Sequence, residues 1–279
     1  MTAVPLAGRP VPVLIAAAAA CAAVVSSAVS LGPSLGAALA GWSPGMQEAL
    51  FALLLYGVLA GVAVLGRRLA QLPRGTGTTP GWVALGAGIG VGGLMLTLAD
   101  AALAGAVSRG TGGFTVSMFA LGSLVMLGQS ASEELFFRGW LQPVLTRGWG
   151  PAAAIAVTAL AFAGLHVAGG ARTPLTLVNL LLGGMLFGLL AWRSGGIGAS
   201  IAAHAGWNWS EAILFGLDPN PGTGGFGAIH DLDLAGAAQW GGSAEGLNAS
   251  IAMTVVIVAC ILPLIAGRGR VSSPSIVPG

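Results

Sequence analysis

Apolar residues run through this chain in long stretches, at about 11–30, 46–66, 81–107, 115–137, 151–168, 174–192, 196–216 and 250–266, and polar residues fill short breaks between them. A hydrocarbon core ~30 Å thick needs about 20 apolar residues per helix, so the stretches predict eight transmembrane helices. Gly and Pro mark the breaks, at Gly32-Pro33, Ser43-Pro44, Leu72-Pro73-Arg74-Gly75, Gly148-Trp149-Gly150-Pro151 and Asp218-Pro219-Asn220-Pro221-Gly222. The pattern predicts an all-α fold, a polytopic membrane helical bundle of about eight transmembrane helices, with residues 1–279 as a single integral membrane domain. Arg9 followed by the Ala-rich run Val11 to Val29 has the look of a signal peptide. The run is longer than the 7–15 residues of such a segment, so it reads as a retained first span.

Composition agrees. Only 7% of residues are charged, against about 25% in soluble domains, and the mean hydropathy is +0.88. The net charge of +2 comes from arginine alone. The arginines are scattered, which speaks against a nucleic-acid partner and leaves lipids as the surrounding medium. Their placement orients the chain. With eight spans and a cytoplasmic N-terminus, Arg9, Arg67, Arg68, Arg74, Arg147, Arg193, Arg268 and Arg270 fall inside and only Arg109 and Arg172 outside. The expectation is a multi-pass protein of a bacterial plasma membrane with both termini cytoplasmic. Cys21 and Cys260 lie far apart in apolar stretches and read as small core residues.

Against this background Glu133-Glu134-Leu135-Phe136-Phe137-Arg138 packs three charges into six residues. A charge near a bilayer centre costs at least about 2.5 kcal/mol, so these residues must pair or do chemistry. Glu134 and Arg138 are four apart and share a helix face, which suits an ion pair. Glu133 points about 100° away from Glu134 and has no such cation. His166 ends another apolar stretch, and His204 and Asn208, again four apart, face one way from a third. These groups suit hydrolysis. A desolvated carboxylate can act as a base toward water, a histidine can share that water, and a second histidine with an amide can donate to an oxyanion. Glu133, His166 and His204 could equally hold a divalent metal such as zinc. Cobalt, manganese and no metal fit the spacing as well.

Straight helices raise a difficulty, because Glu133 lies near the inner end of its span and His166 lies 15 residues from the inner end of the next. The apolar run continues past Arg138 to Leu145, so the fourth helix is expected to be long, tilted or kinked at Pro143. Glu211, one turn beyond Asn208, reads first as a boundary residue, with support of the site as the alternative. Ser130 and Ser132 read as polar helix-packing groups.

The set Glu133-Glu134-x-x-x-Arg138, Phe162-x-x-x-His166 and His204-x-x-x-Asn208 resembles the three-motif signature of the CAAX-protease and bacteriocin-processing (CPBP) family of intramembrane proteases, whose eukaryotic relatives include the type II CAAX prenyl endopeptidase. The resemblance covers about residues 125–215 and leaves the first three spans and the loop after span seven outside it. It implies that Glu133 and His166 activate water, that His204 and Asn208 stabilise the oxyanion, and that Glu134 and Arg138 organise the site. The implied substrate is a membrane-associated protein or peptide, prenylated or not. The competing reading is a catalytically silent scaffold or bacteriocin-immunity protein of the same fold. A proton or ion transporter ranks third, since no internal symmetry supports it.

Overall fold

The structure, a computed structural model, describes residues 10–72, 78–220 and 225–267. It is a helical membrane bundle. The helices are α1 (Pro10–Ala38), α2 (Pro44–Leu69), α3 (Pro80–Leu103), α4 (Val116–Phe136), α5 (Gln142–Ala168), α6 (Pro174–Ser194), α7 (Gly198–Trp209) and α8 (Ile251–Ala266). The helix starts follow local chemistry. Ser43, Thr115, Thr173 and Ser250 each accept a hydrogen bond from the amide three residues on. Pro44, Pro80 and Pro174 occupy first-turn positions, where a missing N–H costs nothing.

Among the described residues, five helical stretches are long and apolar enough to cross a membrane. One of them is continuous from Val116 to Ala168, 53 residues. The helix does not stop at residue 137. It passes through a π turn at Phe137–Leu141 and runs on to Trp149. The backbone stays helical through Pro143, and the ladder widens just before the proline, with the Gln142 amide reaching back to the Phe137 carbonyl. The bend comes at Gly150, whose φ of 79° and ψ of 166° lie outside the helical region and suit glycine alone.

The connection from α7 to α8, which the sequence leaves as a loop, carries regular structure among its described residues. Its strand β2 (Leu232–Leu234) pairs antiparallel with β1 (Val107–Arg109), Val107 opposite Leu234. Glu245 ties this connection to the start of α6, accepting the Arg172 and Thr173 amides at 3.0 Å each and the Thr173 hydroxyl at 3.2 Å. Burial pulls its carboxyl up, but hydrogen bonds from Thr176, the Arg172 and Thr173 amides and the Thr173 side chain hold it below its usual value. The unfolded chain's glutamate titrates near ~4.3, so this stabilisation is complete above that value and is lost as pH falls through the folded one. In thermal unfolding, Glu245→Gln is expected to lower the midpoint at pH 7, and the deficit should shrink as pH drops below about 4.

The arginines separate by end. Arg67 donates to the Gly139 carbonyl, Arg147 to the Ala70 carbonyl at 3.0 Å, and Arg193 to the Ile265 carbonyl at 3.2 Å. These lie at one end of the bundle with Arg68, while Arg109 in β1 and Arg172 before α6 lie at the other. Arg9, Arg74, Arg268 and Arg270 fall outside the described residues, as do the two termini.

Helices α3 and α7 meet almost backbone to backbone. A Cβ on Gly86 would stand 2.2 Å from the Ala199 carbonyl oxygen, and one on Gly90 2.1 Å from that of Ala203. Glycines four apart let the helices approach this closely. Gly90→Ala must therefore push α7 away, and with it His204, the residue after Ala203. A loss of about 1–3 kcal/mol is expected, measurable as a lower unfolding temperature in detergent.

Candidate active site

The bend at Gly150 folds the α4–α5 run into a hairpin, and this removes the depth problem. Glu133 lies 17 residues before Gly150 and His166 16 after it. At 1.5 Å per residue the two antiparallel arms carry them to nearly one level. The rings of Phe137 and Phe162, 13 residues before and 12 after the bend, meet at 5.5 Å.

The centre of the network is Glu134. Its Oε1 accepts from Arg138 Nη1 at 2.8 Å and from His204 Nδ1 at 3.0 Å, and the Glu134 and Arg138 side chains are completely buried. Arg138 Nη2 donates to the Gly184 carbonyl at 2.8 Å, at the midpoint of α6. Three rings surround its guanidinium, Phe162 at 4.9 Å, Phe187 at 5.5 Å and Phe137 at 5.6 Å, and cation–π attraction is strong where water is excluded. Phe187 also stacks on the His204 ring at 4.7 Å with the planes 17° apart. Held from two sides, His204 presents Nε2 to Glu133.

Glu133 is 3% exposed. Its Oε2 lies 4.0 Å from His204 Nε2, beyond hydrogen-bond reach, and has no protein partner among the described residues. A buried carboxylate oxygen without a donor is costly. The other two motif residues stand around this pair. His166 Nδ1 donates to the Phe162 carbonyl at 2.9 Å, since a carbonyl can only accept, and this leaves its Nε2 as the lone-pair nitrogen. The Phe162 ring lies 4.5 Å from the His166 ring and 5.8 Å from that of His204. Asn208 Nδ2 reaches Ser130 Oγ at 3.4 Å, a weak bond that leaves the amide's second hydrogen free.

The structure thus brings Glu133, Glu134, Arg138 and His204 into one network. His166 sits across Phe162, with no hydrogen bond or ion pair to either glutamate, and Asn208 lies one turn from His204. Among the described residues no three His, Cys, Asp or Glu side chains are arranged to hold a metal. Two contributors escaped sequence reading. Phe187 carries no polar mark. Ser130 does carry a signal, four residues before Glu134 and so on its face, but it reads equally well as packing.

Residues 115–210, from the cap of α4 to the end of α7, match the family model "Type II CAAX prenyl endopeptidase Rce1-like". No curated protein and no solved structure matches the chain. The matched third of the chain contains all three motifs and every side chain in the network above, so the helices that build this site are similar to those of the Rce1-like type II CAAX prenyl endopeptidases.

Proposed function

We propose that this integral membrane protein hydrolyses peptide bonds with a water held between Glu133 and His204. The observation that carries this reading is the 4.0 Å gap from Glu133 Oε2 to His204 Nε2, beside a neighbouring glutamate whose Oε1 is already engaged by Arg138 and His204. One carboxylate is fixed and the other is kept for a proton. A water donating to both atoms keeps a lone pair free for a substrate carbonyl carbon. As the O–C bond forms, Glu133 takes the water's proton and the carbonyl oxygen becomes an oxyanion. As the C–N bond breaks, Glu133 returns that proton to the leaving nitrogen. Asn208 supplies a donor for the oxyanion through its free amide hydrogen, and His166, on the far side of Phe162, keeps an Nε2 lone pair.

The substrate in this reading is a membrane-anchored protein or peptide, and the family extends it to prenylated segments. An apolar groove of about 460 Å³ between α2 and α4 is lined by Leu50, Leu53, Tyr56, Leu121, Val125 and Ser132, the residue before Glu133. We assign it to the lipid-embedded substrate chain. Membrane orientation follows the arginine-rich end, which we place on the cytoplasmic face of a bacterial plasma membrane. The test is cleavage of a peptide library by the purified full chain in nanodiscs, with and without Glu133→Gln. Library peptides that bind and are never cut would favour the scaffold.

A further inference from the structure

Glu211 stands apart from the network. It begins the second π turn (Ser210–Leu214) with Ser210, is 6% exposed, and makes no side-chain hydrogen bond or ion pair with any described residue. His204, Asn208 and Glu211 are four and three residues apart and so share one face of α7. That face is the one His204 turns toward Glu133 and Glu134. The charges inside the bundle do not balance: among the described buried residues, Glu133, Glu134 and Glu211 stand against Arg138 alone. Arg138 is committed to Glu134. A buried, unpaired carboxyl on the site's own face lacks a cation, and the missing partner can come with the ligand.

We infer that Glu211 is a specificity residue that receives a basic side chain of the substrate. This rests on the proteolytic reading above and adds the substrate's charge. Seven residues of helix separate His204 from Glu211, about 10 Å of rise. An extended peptide advances about 3.3 Å per residue. The lysine or arginine that pairs with Glu211 therefore lies about three residues from the scissile bond. Binding it replaces an unpaired buried carboxyl with a charge-assisted hydrogen bond.

The experiment uses the full chain in nanodiscs and a neutral, apolar peptide series in which one lysine is moved position by position, each peptide matched to its Nε-acetyl-lysine counterpart. Affinity is measured with Glu133→Gln protein and with the Glu133→Gln/Glu211→Gln double variant, and kcat/KM with wild type and Glu211→Gln. The expected result is one position at which lysine is preferred over acetyl-lysine by about tenfold, mainly through KM. In Glu211→Gln the ratio falls to about one, and Glu211→Asp keeps part of it. A lysine preference that survives Glu211→Gln, or no preference at any position, overturns the inference. If no peptide is cleaved yet the binding preference tracks Glu211, the proteolytic reading fails and the cation site stands. Cleavage with no lysine preference gives the reverse.

Discussion

Glu133→Gln is expected to reduce peptide cleavage by about a thousandfold, the scale of a lost general base, while the protein inserts and unfolds as wild type does. The substitution keeps the size of the side chain and removes only its ability to accept and return a proton. Structure should tolerate it, because no protein donor depends on Glu133 Oε2 and the new amide can donate to His204 Nε2 across the gap. The check is a paired measurement of kcat/KM and of the unfolding midpoint in the same nanodisc preparation. Turnover within tenfold of wild type would remove Glu133 from the base role. A collapse in stability would mean that its charge serves the fold.

Arg138→Met should act in the opposite way, on the fold first. Removing the guanidinium strands Glu134 in a completely buried position and takes away the cation at the centre of three aromatic rings. Breaking a buried pair from one side costs about 3–5 kcal/mol, so low yield and early unfolding in detergent are expected. The double variant Glu134→Leu/Arg138→Met removes both charges and should recover most of that stability. It should not recover cleavage, because His204 Nδ1 has then lost the carboxylate that orients it. A single variant as stable as wild type would show that Arg138 is dispensable to packing. A double variant with full activity would show that Glu134 does not orient His204.

Much of this arrangement could be read from residue types and spacing. Helix spacing alone pairs Glu134 with Arg138, and apolar run length alone places the helices. The contacts that hold the site were not legible, for definite reasons. Gly184 contributes a main-chain carbonyl, which any residue type carries. Phe187 contributes a ring face, and an apolar stretch offers many. The partner of Glu133 was also out of reach. The resemblance joins Glu133 and His166 through a shared water, whereas the side chain 4.0 Å from Glu133 Oε2 is His204 on α7, since three-dimensional neighbours depend on how helices are laid side by side. The course of α4 past residue 137 turned on one π turn, a local widening of the ladder that hydropathy does not register.

The bend at Gly150 makes the α4–α5 run a caliper. Its jaws are Glu133 and His166, and the height at which they close is fixed by arm length, not by any attraction between the jaws. One residue gained or lost in a single arm would slide one jaw by about 1.5 Å and swing it by about 100°. The number of residues in each arm can change only in step with the other.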